Sequence, residues 1–365
     1  DKYLFSAGSG HDVIDNNDKQ ASSVDVIEFD DSINRKQVRL LRAGDDLLIS
    51  IDRNKDSIQL KGYFEGDDVS LSAVDEIRFS DGAVLTVEDI RSLSLDATQG
   101  ADYIEGFSSD DAISALAGDD IVYAGNGDDL VAGEQGADLI YGENGNDMLF
   151  GNQDRDQLYG GQGNDVLDGG KDSDRLYGSA GEDLLKGGDG DDYLDGGAQN
   201  DELLGNNGDD TIYGMRGNDL IAGGRGDDQL NGGFGDDLIK GDAGDDSYHY
   251  SLGDGEDVLI DSSGYDVLSL SGIDIHQVWL TQQQDDLLIE FLGEQGEITI
   301  KDWNSSGDRA IDEIHLGEMA LVNSQIDSLV QAMAAFDPES ASGTDQFTMP
   351  ETLEPVLAAS WQLSS

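Results

Sequence analysis

The chain has 365 residues, and its 79 Asp and Glu stand against 20 Lys and Arg, for a formal charge of −59 and a pI near 4.1. So acidic a chain excludes nucleic acid as a partner and disfavours unassisted docking on anionic membranes, since both need basic groups. Self-repulsion opposes any compact state, so either the chain is disordered or cations neutralise it as it folds; a 37% hydrophobic content, recurring regularly, argues for the second.

Residues 1–96 read as a small β-rich module. It opens on a glycine turn, Gly8-Ser9-Gly10-His11-Asp12, and continues in short alternating strands such as Ser57-Ile58-Gln59-Leu60. Its aromatics Tyr63 and Phe64 are expected in the core.

From Ala97 to His249 the chain keeps a nine-residue frame for 17 units without insertion or deletion. Gly160-Gly161-Gln162-Gly163-Asn164-Asp165-Val166-Leu167-Asp168 is a clear unit. Position six is aspartate throughout: Asp102, Asp111, Asp120, Asp129, Asp138, Asp147, Asp156, Asp165, Asp174, Asp183, Asp192, Asp201, Asp210, Asp219, Asp228, Asp237 and Asp246. Position eight is apolar or aromatic throughout, from Ile104 to Tyr248. Position four is glycine in 13 units, among them Gly118, Gly127, Gly136, Gly145, Gly163, Gly181, Gly190, Gly208, Gly217, Gly226, Gly235 and Gly244.

Glycine permits positive φ and a close backbone path, so six residues are expected to form a wide turn. The last three are expected to form a short strand with the position-eight side chain inward. Two units then make one coil of a parallel β-helix around a thin aliphatic core. Units n and n+2 share a side, which brings Asp120 near Asp138 and Asp129 near Asp147, about one strand spacing (~4.8 Å) apart. Carboxylates stacked so closely cannot all stay ionised and unpaired. A hard dication between adjacent turns, held by carboxylates and turn carbonyls, resolves the conflict, and calcium suits such a site better than magnesium. Same-side pairs allow up to about 15 such ions. Acidic turns that were merely solvated would not keep one aspartate in register over 17 units.

This nonapeptide resembles the calcium-binding repeat of the RTX (repeats-in-toxin) proteins, over about 40% of the chain. The resemblance implies that the position-six aspartates and the turn carbonyls of the position-four glycines bind calcium. Four units depart at position four, with Ser109, Asp154, Asp172 and Gln199; Arg155 and Lys171 also enter the turns, so their sites are expected to be weaker or filled by a side-chain cation. The first two units read as a frayed cap.

Residues 250–335 read as a second copy of the first module. Asp257-Val258-Leu259 echoes Asp12-Val13-Ile14, Asp285-Asp286-Leu287-Leu288-Ile289 echoes Asp45-Asp46-Leu47-Leu48-Ile49, and Asp312-Glu313-Ile314 echoes Asp75-Glu76-Ile77. It too begins with one degenerate turn, Gly253-Asp254-Gly255-Glu256-Asp257. Trp279 and Trp303 are expected in its core. The module resembles the haemolysin-type calcium-binding-related domain that flanks RTX arrays, and would cap the open ends of the roll. A short amphipathic helix follows, with Ile326, Leu329, Val330 and Met333 on one face and Asn323 or Ser324 as its cap. The tail 336–365, without Lys or Arg, resembles the uncleaved C-terminal signal of type I-secreted RTX proteins.

The fold class expected is therefore all-β: a calcium-dependent parallel β-roll, capped at both ends by small β-rich modules, with a short C-terminal helix. No apolar stretch is long enough to span a membrane, no cysteine staples the fold, and no signal peptide opens the chain, which begins at Asp1 and reads as a monomeric fragment of something larger. His11, His249, His276 and His315 are scattered, and no HExxH, GxSxG or Walker motif occurs, so no catalysis is expected. The reading is a secreted, extracellular module of an adhesin or toxin that meets calcium and the type I secretion machinery and folds outside the cell. Two alternatives stay open: an adhesion module that recognises a cell-surface glycan or peptide through calcium, and the C-terminal region of a secreted protease, lipase or epimerase.

Overall fold

Within each of the chain's two units, strands of the repeat pair in parallel with the strand 18 residues further on, so two nonapeptides make one coil. The computed structural model describes residues 1–15, 24–52, 55–65, 74–303, 310–336 and 352–363. They fall into two units, 1–148 and 149–365, and the same coil occurs in both. In the first, Ile121–Asn126 lies beside Leu139–Asn144 with Val122 opposite Ile140, and Ala112–Ser114 lies beside Leu130–Gln135. In the second, Gln157–Gln162 lies beside Arg175–Ala180 with Leu158 opposite Leu176, and Val166–Lys171 lies beside Leu184–Asp189.

The division of the unit into strand and turn differs from expectation. Most strands of the repeat are six residues long and cover positions seven to nine plus one to three of the next unit. The turn shrinks to three residues, such as Gly127-Asp128-Asp129. The glycines at positions one to three read locally as turn formers, but stacked coils complete their hydrogen bonds and hold them extended. Two side chains per strand face inward. Position eight supplies the core: Val122, Val131 and Ile140 in the first unit, and Leu158, Leu194 and Leu230 in the second, are fully buried. Position one is the other, and it is almost always glycine. On the outer face, position-nine tyrosines report the coil spacing directly, since Tyr123 stacks on Tyr141 at 4.8 Å and Tyr159 on Tyr177 at 4.7 Å.

The two segments that echo each other in sequence share a strand order. In the first copy, His11–Ile14, Asp56–Leu60, Asp46–Ile51 and Val38–Ala43 form one sheet in that order, and Lys2–Phe5, Val26–Phe29, Glu76–Arg78 and Val84–Thr86 form another. In the second copy, Glu256–Ile260, Glu297–Ile300, Asp286–Phe291 and Val278–Gln283 repeat the first pattern. Ser247–Ser251, Val267–Ser271, Glu313–Leu316 and Met319–Val322 repeat the other. The strand Ser247–Ser251 serves both roll and module. Tyr63, Phe64, Trp279 and Trp303 are all buried, as expected.

Helix α1 (Val87–Leu93) ends the first copy and α2 (Asn323–Met333) the second. Ile326, Leu329, Val330 and Met333 of α2 are buried. Its cap is not Asn323 or Ser324: Gln325 reaches back to accept from the Val322 N–H at 2.9 Å, while the Asn323 amide donates to Asp312. The tail is not simply a loose terminus. Helix α3 (Glu354–Ser360) buries Leu357, and Gln362–Leu363 pairs antiparallel with Met319–Val322, beside the buried Trp361. The rest of the tail lies outside the described residues.

Candidate metal-binding ladder

The position-six aspartates form two rows, one on each side of the roll, because each coil returns the turn to the same side. Within each of the two units the Oδ1 of one aspartate accepts from the backbone N–H of the aspartate one coil earlier. In the first unit, Asp120 donates to Asp138 and Asp129 to Asp147, each at 2.8 Å. In the second unit the row runs Asp156, Asp174, Asp192, Asp210, Asp228, Asp246, and the other row Asp165, Asp183, Asp201, Asp219, Asp237, with distances of 2.7–2.9 Å.

This bond occupies one oxygen and leaves the other. The Oδ2 atoms of Asp120, Asp129, Asp174, Asp183, Asp192, Asp201, Asp210, Asp219, Asp228, Asp237 and Asp246 are buried without any hydrogen-bond partner. These residues are at most 3% exposed. Orphaned carboxylate oxygens cost several kcal/mol each if charged, and native proteins rarely leave them so. Position-one glycine makes room for the bent carboxylate: a Cβ on Gly178 would sit 2.5 Å from Asp183 Oδ2, and one on Gly196 2.5 Å from Asp201 Oδ2. Position-four glycines are forced by φ and contact together. Gly226 has φ +119, and its added Cβ would fall on the Gly208 carbonyl. Asp154, Asp172 and Gln199 take the same left-handed conformation at φ 72, 69 and 84, where L side chains are disfavoured.

Burial, opposed by the single backbone N–H and reinforced by the next carboxylate, drives the ladder carboxyls far above the ordinary value. Asp174, Asp201 and Asp210 are pushed up to about 8, and Asp129, Asp192, Asp228 and Asp237 to about 7. Without a cation these groups hold protons near neutral pH; with one they give them up. An all-oxygen donor set of buried carboxylates and turn carbonyls is the chemistry of a hard dication. The orphaned oxygens thus fit calcium.

Two residues at the start of the ladder behave differently. Asp102 is half surrendered to protein groups: burial raises its carboxyl, but Arg39 (Nη2 to Oδ1, 2.8 Å) and Thr98 outweigh that and hold it low. Asp111 Oδ2 accepts from the Phe107 N–H at 2.5 Å. The side-chain cation thus lies at Asp102, whereas Arg155 and Lys171 are exposed and Asp156 and Asp174 beside them stay buried.

The ladder also continues past its expected end. Asp237 donates to Asp257 Oδ1 at 3.1 Å, and Asp246 to Asp266 Oδ1 at 2.9 Å, across coils of 20 residues rather than 18. A fixed nine-residue frame loses Asp266, although Gly264-Tyr265-Asp266 keeps the Gly-x-Asp of a turn. An outer row was missed as well. Position-five side chains accept from the next coil's backbone, as Asp191 does from Asp209 and Asp209 from Asp227, at 3.0 and 2.9 Å.

Rows of buried carboxylates over glycine turns define a calcium-binding parallel β-roll. Overlapping segments between 94 and 254 match the RTX calcium-binding nonapeptide repeat, and residues 46–89 match the haemolysin-type calcium binding protein related domain. Residues 94–254 are thus RTX calcium-binding repeats, with the related domain ahead of them. Over 112 residues it is 34% identical to the iron-regulated protein FrpA of Neisseria meningitidis serogroup C, a match that covers 31% of this chain and 10% of that relative. The chain thus corresponds to a small part of the relative's length.

Proposed function

We propose that this chain is a calcium-gated folding module of a larger secreted protein, without catalysis of its own. The observation that carries the reading is the row of buried, orphaned Oδ2 atoms. The chain's own residues do three things. Position-six carboxylates and the carbonyls of neighbouring glycine turns hold the ion, position-one and position-four glycines keep the backbone close enough for both, and the position-eight side chains exclude water from the strip behind them. Calcium supplies the positive charge that these buried carboxylates lack. At cytosolic calcium, far below the millimolar range of weak extracellular sites, the ladder is uncompensated and the acidic chain stays expanded. Outside the cell, ions bind the folded roll and not the open chain, so binding free energy becomes folding free energy.

Type I secretion, an extracellular location and an adhesin or toxin as the parent protein complete the reading, supported by the family and by the resemblance of the tail to a secretion signal. Urea unfolding at graded calcium tests the coupling: stability should rise with the logarithm of calcium concentration, with a slope of several ions. A slope of zero refutes it. Export of the full-length chain compared with a chain lacking residues 336–365 tests the secretion signal, and equal export would remove that part of the reading.

A further inference from the structure

The end of the ladder carries a carboxylate that the repeat does not supply. Counting back from Asp266 as position six, Gly264 holds position four and Asp261 position one. Position one elsewhere is the inward glycine over which the carboxylate folds. Here the stacked neighbour is Gly241, and Asp246 Oδ2, Asp261 Oδ2 and the Tyr248 hydroxyl converge on the place where a Cβ of Gly241 would stand. Tyr248 donates to Asp261 Oδ2 and so aims it inward. Asp246, Asp261 and Asp266 each bring a carboxylate oxygen within 4.8 Å of the others. Independently, the Oδ2 atoms of Asp246 and Asp266 have no hydrogen-bond partner, and both residues are completely buried.

We infer that Asp246, Asp261 and Asp266 form a three-carboxylate divalent-cation site at the C-terminal end of the roll, which takes calcium ahead of the ordinary ladder positions. An ordinary pair of turns offers one carboxylate from each coil; this one offers an additional charge from position one, on a coil already tied to the C-terminal module by Asp266 N–H donating to Asp312 Oδ2 at 3.2 Å. Affinity of oxygen sites rises with charge count and rigidity. The site rests on the calcium reading above, and it adds an ion that loads first.

The test is equilibrium dialysis of radioactive calcium against the chelator-stripped full chain, for the wild type, Asp261→Gly and Asp261→Asn. Asp261→Gly restores the ladder residue and so preserves the coil, while Asp261→Asn keeps the shape and removes the charge. The expected result is one ion bound more tightly than the rest in the wild type, weakened about tenfold or more in both variants, with the remaining ions and the far-UV circular dichroism at saturating calcium unchanged. If Asp261→Asn fails to fold, Asp261→Gly decides. Identical binding curves for wild type and Asp261→Gly overturn the site while leaving the ladder intact. A wild type that binds no calcium overturns the functional reading and this inference together.

Discussion

Acidification should fold the calcium-free protein, against the usual direction of acid denaturation. The ladder carboxyls are raised on folding. Asp210 goes from its ordinary 3.8 to about 8, chiefly by burial and then by its neighbours Asp192 and Asp228, with the Asp192 N–H opposing. A raised carboxyl costs nothing below the unfolded value, where both states are protonated. The cost grows as pH rises through the gap and is complete above the folded value. At about 1.4 kcal/mol for each tenfold change, the rise from 3.8 to about 8 puts the penalty at Asp210 near 6 kcal/mol above pH 8. Burial is a cost of each carboxylate separately and adds along the row; only the repulsion between neighbours is shared. The perturbation is a pH series from 9 to 5 in chelator, read by far-UV circular dichroism. β-structure should grow with a midpoint between about 6 and 8, the span of the raised values from Asp183, Asp219 and Asp246 at about 6 to Asp174, Asp201 and Asp210 at about 8. Exposed carboxylates titrate near 4, so structure that appears only below pH 5 would reflect general charge neutralisation and refute the ladder as the cause. Loss of structure on acidification would refute it too. With calcium the sign reverses, because binding displaces protons, and affinity should fall as pH drops from 8 to 6.

Asp210→Asn should move the calcium-free folding midpoint to higher pH in the same circular-dichroism series, because it removes one raised carboxyl, while lowering the number of ions bound. Gly208→Ala should cost about 3 kcal/mol or more in calcium-loaded protein, since φ is +128 and the new Cβ meets the Gly190 carbonyl. Leu203→Ala, at a fully buried position, should cost 2–5 kcal/mol of loaded stability. It should leave calcium stoichiometry unchanged, which dialysis would check.

The frame of the roll was legible because each position obeys one physical demand. Aspartate must face its stacked copy, the position-eight residue must fill a core one side chain wide, and 18 residues must close a coil. The duplicated module was legible from echoes such as Asp312-Glu313-Ile314 and Asp75-Glu76-Ile77. What escaped depends on neighbours distant in sequence. The extended state of positions one to three comes from adjacent coils, not from local preference. Asp102 meets Arg39 across 63 residues. Asp261 and Asp266 fall outside a nine-residue count because their coil carries two extra residues, yet they complete the ladder. The pairing of Gln362–Leu363 with Met319–Val322 likewise has no signature in the tail itself.

The central claim, that calcium and folding are one equilibrium, is tested most directly by far-UV circular dichroism with size-exclusion chromatography, at pH 8, first in chelator and then across a calcium titration. The chain should be expanded and largely unstructured in chelator, then gain β-structure and compact cooperatively towards millimolar calcium, with magnesium unable to replace it. A chain already compact and β-rich in chelator, with no response to calcium, would contradict that claim.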